Sequence, residues 1–153
     1  MSEDPLPDVV INITRVFDAP RERVWREFTE PERFADWFGG AESEIPLESV
    51  SMDVTPGGRW GATMFTGPQR RESNWRGEFV EVDEPARLVL TLTDEPHGER
   101  YALVTIVLTE LDDGRTEMRF EQSGPLPPEA YEPAKAGWGK FFDRIDERLA
   151  AAG

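Results

Sequence analysis

The chain has 153 residues, enough for one domain with a substantial core and too few for two ordinary domains to be expected. With 31 acidic against 17 basic residues its net charge is −14, which repels phosphate backbones and anionic lipid heads and so argues against nucleic-acid and membrane-surface roles. It contains no cysteine, which removes disulfides, thiolate nucleophiles and sulfur-ligated metals together. The opening MSEDPLPDVV has neither a basic nor an apolar stretch, and no run approaches the roughly 20 apolar residues that span a bilayer, so a cytoplasmic protein without membrane insertion is expected.

Residues 1–8 read as a polar leader to a single domain over 9–151. Val9 to Phe17 is rich in β-branched residues and reads as a strand. Asp18 and Pro20 mark a helix start, with Asp18 as the acceptor for exposed amides and Pro20 pre-set for the first turn. Val24, Trp25 and Phe28 form the buried stripe of that helix. Thr29-Glu30-Pro31-Glu32 has capping-box spacing, so a second short helix is expected at once, with Phe34, Trp37 and Phe38 on its apolar side and Gly39-Gly40 as its stop.

From Glu48 to Ser123 the period changes to two, giving about six strands broken by Pro56-Gly57-Gly58, Gly67-Pro68, Asp83-Glu84-Pro85, Glu95-Pro96-His97-Gly98 and Asp112-Asp113-Gly114. Trp60, Ala62 and Met64, then Trp75, Gly77 and Phe79, then Met118 and Phe120 take the dry face of an antiparallel sheet covered on one side. Within Tyr101 to Leu111, Val104, Ile106 and Leu108 compete with Leu103, Thr105 and Val107 for the inside. A two-residue Asp113-Gly114 turn favours the second set, and the register stays open. Trp138, Phe141, Phe142, Ile145 and Leu149 then recur at spacings of three and four, the pattern of an amphipathic C-terminal helix that Pro133 limits at its start.

This order predicts an α+β fold in which a curved antiparallel sheet of about seven strands wraps a long C-terminal helix, with two short helices after the first strand. The blocks FDAPRERVWREFTEPERFADWFGG, PGGRW, GEFVEVDEPARLVLT, DDGRTEMRFEQSG and GWGKFFDRIDERLA also resemble the START-like (SRPBCC, helix-grip) superfamily, specifically the bacterial homologues of the heat-shock-protein-90 ATPase activator. The resemblance covers roughly residues 10 to 150. It implies the helix-grip fold, which hosts carriers, cyclases, hydrolases and co-chaperones.

In such a fold Trp25, Phe28 and Phe34 are expected in the core. Trp37, Trp60, Met64, Trp75, Phe79, Trp138 and Phe142 face the space between sheet and last helix, where they serve either as core or as ligand contacts. Gly137 and Gly139 weaken the helix, and close approach to the sheet is the expected reason, with room for a ligand as the alternative. Gln122, a polar residue continuing the dry face of Met118 and Phe120, joins the cavity candidates, with Arg76 as another polar group to orient a ligand; Glu78 and Glu81 flank Phe79.

His97, the sole histidine, reads as a loop residue, so neither a histidine triad nor a two-histidine metal site can be built. Gly57-Gly58 and Gly39-Gly40 lack the lysine and hydroxyl of a phosphate loop. No cofactor, metal or catalytic residue is assigned. The expected function is non-enzymatic binding of a small, largely apolar, lipid-like ligand between sheet and C-terminal helix. The resemblance implies one alternative, a co-chaperone-like partner of a chaperone, and a second, a cyclase or hydrolase acting on a hydrophobic substrate. A homodimer is a further partner left open.

Overall fold

A computed structural model describes residues 8–38, 43–94, 101–125 and 128–152. Strand β1 (Asp8–Phe17) leads into helices α1 (Arg21–Thr29) and α2 (Pro31–Trp37). The strands that follow are β2 (Ser43–Glu44), β3 (Ser51–Met52), β4 (Arg59–Thr66), β5 (Arg71–Asp83), β6 (Arg87–Leu92), β7 (Ala102–Glu110) and β8 (Thr116–Pro125). Helix α3 (Tyr131–Ala152) ends the chain. Among the described residues the strands form one antiparallel sheet in the order β1-β8-β7-β6-β5-β4-β2, with β3 also paired to β4. The expected α+β helix-grip architecture is present, and no helix of the described residues is long and apolar enough to cross a membrane.

Strand β5 joins the two halves of the sheet. Its first part pairs with β4 from Arg71 to Glu78, and its last part pairs with β6 from Phe79 onward, with a register break between Phe79 and Glu81. Such a break bends a strand and sharpens its twist, which lets one sheet curl around a helix. Gly77 lies two residues before the break. A Cβ there would lie 1.8 Å from the Thr91 carbonyl oxygen and 2.7 Å from the Trp60 indole nitrogen, so glycine is what lets that indole donate to Thr91 O at 2.9 Å.

The sheet's inner face carries Ile11, Phe17, Trp60, Ala62, Phe79, Leu88, Val104, Ile106, Leu108, Met118 and Phe120, all buried. Val104, Ile106 and Leu108 therefore win the competition within β7, against the set favoured by a two-residue turn. The connection is one residue longer. Gly114 N–H donates to Leu111 O, Leu111 N–H donates to Arg115 O, and Gly114 takes φ +86°. This is a three-residue loop that closes with a left-handed glycine, and it pairs Leu108 with Met118 and Ile106 with Phe120.

Both expected caps are corrected. Pro20 rather than Asp18 is the N-cap of α1, Pro31 starts α2 after Glu30, and neither cap makes a side-chain hydrogen bond. Thr29 instead donates back to Trp25 O at 3.0 Å, and the Glu30 carboxylate accepts from Arg33 at 2.6 Å. With the chain turning at once into α2, local back-bonding and an ion pair win over the capping box. The expected stop at Gly39-Gly40 and the turn holding His97 lie outside the described residues.

Helix α3 packs its stripe of Phe142, Ile145 and Leu149 into the grip, touching β1, α1 and α2. Pro133 falls in its first turn, where no intrahelical donor is lost. Two sets of ions hold the helix in place. Arg15 of β1 donates to Asp146 at 2.7 Å and pairs with Asp143, and Arg148 donates to Glu27 of α1 at 2.6 Å and pairs with Asp36 of α2.

Candidate ligand cavity

The short helices and α3 do not fill the grip completely. A cavity of about 360 Å³, partly open to solvent, remains between the sheet and the first half of α3. Every layer contributes to its wall: Met64 from β4, Trp75 from β5, Leu92 from β6, Ala102 from β7, Gln122 from β8, and Ala134, Gly137, Trp138 and Phe141 from α3. Phe38, directly after α2, closes the inner end, while Thr93, Asp94 and Tyr101 complete the rim at the end of β6 and the start of β7.

The nine residues expected at such a cavity divide into three groups. Met64, Trp75, Gln122, Gly137 and Trp138 line it. Trp37, Trp60 and Phe79 do not; with Trp138 and Phe38 they surround a smaller void of about 30 Å³ deeper in the core. Phe142 lines neither space and is fully buried, edge-on to Phe120 at 5.2 Å and stacked with Trp138 at 5.9 Å. Alternation places a side chain on the inner face, but it does not say how far along the groove the core is closed. The indoles of Trp37 and Trp60 are tied to backbone, to Glu27 O at 2.6 Å and Thr91 O at 2.9 Å, which fixes the orientation of both rings.

The expectation for the glycines is corrected as well. A Cβ at Gly137 or at Gly139 would meet nothing within 4 Å, so close approach to the sheet is not what requires them. Gly137 leaves wall space in the cavity, and the Gly139 carbonyl accepts from Arg15 at 3.2 Å. Arg76, the other proposed polar orienter, lies outside the cavity in a surface groove with Arg59 and Glu78.

Phe38, Ala134, which lies one turn before Trp138 on α3, Phe141, Leu92, Thr93, Asp94, Tyr101 and Ala102 were not among the expected cavity residues. Phe38 and Phe141 already stood on apolar helix faces, and their spacing from Trp37 and Trp138 was the available signal. Leu92, Thr93, Asp94, Tyr101 and Ala102 become neighbours only through the β6–β7 register, in which Leu92 pairs with Ala102.

The polar groups on the wall are few. The Trp138 indole donates to Gln122 Oε1 at 2.7 Å. Indole is a donor only, so this bond fixes the orientation of the Gln122 amide and leaves its NH2 as a donor. The Trp75 indole N–H is buried and has no hydrogen-bond partner among the described residues. Asp94 is the one charged side chain among the described lining residues, and it is exposed. No group of three or more His, Cys, Asp or Glu among the described residues is placed to hold a metal ion.

Beside the cavity, α1 and α2 are clamped by a buried charge that sequence reasoning missed. Glu27 is 1% exposed and accepts from Arg148, with Arg33 at 3.6 Å. Burial pulls the Arg148 pKa down, but hydrogen bonds and charge from Glu27 and Asp36 outweigh it and raise the pKa above its ordinary value. Arg148 thus stays charged, and its bonds to Glu27 and Asp36 fix the helices that bring Trp37 and Phe38 against α3. No ligand contact is needed to explain these residues.

Residues 18–150 match the family model described as Activator of Hsp90 ATPase homolog 1-like protein. No curated protein matches the chain. Among solved structures, protein CV1439 from Chromobacterium violaceum is 24% identical, with 90% of this chain and 94% of that chain covered at a TM-score of 0.79. Protein Ms6760 from Mycobacterium smegmatis is 23% identical over 92% and 90% at 0.75, and protein SA2116 from Staphylococcus aureus is 14% identical over 96% of each at 0.82. At these identities the likeness establishes a common fold.

Proposed function

The chain belongs to the Activator of Hsp90 ATPase homolog 1-like family, and from that premise we propose that it binds a small, largely apolar molecule in the cavity between the sheet and α3. The observation that carries this reading is the cavity itself: about 360 Å³, walled mainly by aromatic and aliphatic side chains with a few polar groups. Small-molecule sites run from roughly 300 to 1,000 Å³ and combine an apolar wall with sparse orienting polar groups. The size suits a molecule of two or three fused or linked rings, or a short branched chain. Gly137 supports the reading, because a helix carries glycine at a cost of roughly 1 kcal/mol and this one has no packing need for it.

The neutral, environment-sensitive dye prodan provides the test. One saturable site on the native protein is expected, with blue-shifted dye emission, and Gly137→Leu, which fills the wall, is expected to abolish it. Unsaturable binding, or binding unchanged in the folded Gly137→Leu variant, sinks the reading.

Family membership favours one second reading, in which an acidic surface docks on a basic patch of a chaperone. It uses the outside of the molecule, and a salt series separates it from cavity binding.

A further inference from the structure

Resting on the cavity reading, we propose that the ligand is a neutral apolar molecule bearing a carbonyl group, such as a ketone, aldehyde or ester, and that the site selects against carboxylates and ammonium ions. One donor and the charge of the wall carry the inference. Gln122 gives its oxygen to Trp138, so what it offers a ligand is the amide N–H. The Trp75 indole N–H is shielded from the cavity and is not counted as a ligand donor. A carbonyl oxygen accepts from the Gln122 amide and has no hydrogen that needs an acceptor in return, which fits a wall that beyond Gln122 is mainly Phe38, Met64, Leu92, Ala134 and Phe141, with Thr93, Asp94 and Tyr101 at the rim.

Charge decides between the ionic alternatives. A carboxylate also accepts hydrogen bonds, but it would shed its hydration in an apolar cleft where no described lining residue is cationic and the charged one is Asp94, within a chain of net charge −14. An ammonium brings no acceptor for the Gln122 amide, and its attraction to Asp94 is weak because Asp94 is exposed and screened by water.

The test is calorimetry of the whole protein with four ligands sharing one ring system: 2-acetylnaphthalene, 2-isopropylnaphthalene, 2-naphthoate and 2-naphthylmethylammonium. The ketone is expected to bind at least tenfold more tightly than either ion, about 1.4 kcal/mol. In Gln122→Met the ratio of ketone to hydrocarbon affinity is expected to fall severalfold. Asp94→Asn is expected to raise the ratio of naphthoate to ketone affinity.

An ion binding within tenfold of the ketone overturns the inference, as does a ketone-to-hydrocarbon ratio that Gln122→Met leaves unchanged. If only the hydrocarbon binds, the cavity reading stands and this inference falls. If neither neutral ligand binds, the cavity reading falls and takes the inference with it.

Discussion

Arg148 neutralises a carboxylate that is otherwise cut off from water, since Glu27 keeps only 1% of its surface and its other basic neighbour, Arg33, stands at 3.6 Å. Removing one partner of such a pair leaves a buried charge uncompensated, at a typical cost of about 3 to 5 kcal/mol. Arg148→Ala is therefore expected to lose roughly 3 kcal/mol in urea unfolding with an unchanged slope. Glu27→Met combined with Arg148→Met is expected to recover most of that loss, because the charge to be paired is gone. A single variant within 0.5 kcal/mol of the parent contradicts this account of the clamp. Glu27 was illegible in the sequence because its partner is 121 residues away and any one carboxylate among 31 acidic residues reads as surface. The Trp138–Gln122 bond was half legible. Alternation put Gln122 on the dry face and periodicity put Trp138 on the helix stripe, but their meeting needed the whole grip.

At the scale of elements, α3 carries two glycines for which packing gives no reason. Gly139→Ala places a methyl in open space and removes a helix-weakening residue, so a gain of about 0.5 to 1 kcal/mol is expected from denaturant midpoints. A loss of stability would mean that the helix meets something there in solution. The presence of α1, α2 and α3 and their apolar stripes followed from periodicity, because burial of an apolar stripe dominates helix formation. The caps did not follow, because Thr29 and Glu30 each found a nearer partner in Trp25 O and Arg33. In β7 the two candidate faces differ by a one-residue slip, and one extra loop residue at Asp112-Asp113-Gly114 decided between them. Short strands such as β2, of two residues, have no period to detect.

For the whole molecule, the aromatic content that marked a helix-grip fold also marked a groove, but not where the core ends and the cavity begins. That boundary depends on how far Phe38 and the Trp37 indole reach toward α3, and on the close approach of Thr91 and Trp60 at Gly77. Salt separates the two functional readings at this scale. The screening length falls from about 10 Å at 0.1 M to 3 Å at 1 M, so docking of an acidic surface weakens steeply, whereas apolar burial does not. Prodan affinity is expected to change less than about threefold between 0.1 and 1 M sodium chloride. Stimulation of a bacterial heat-shock-protein-90 ATPase that fades over the same range would make the outer surface, and not the cavity, the functional site.

The most direct measurement follows the five indole N–H signals by nitrogen-15 NMR while 2-acetylnaphthalene is added to the native protein. Trp75 and Trp138 line the cavity and carry the free and the Gln122-bound indole, whereas Trp25 lies outside both the cavity and the deeper void. Saturable shifts at Trp75 and Trp138, with the Trp25 signal fixed, are the predicted result. Signals that stay unmoved at Trp75 and Trp138, or that drift together without saturating, would contradict ligand binding in this cavity.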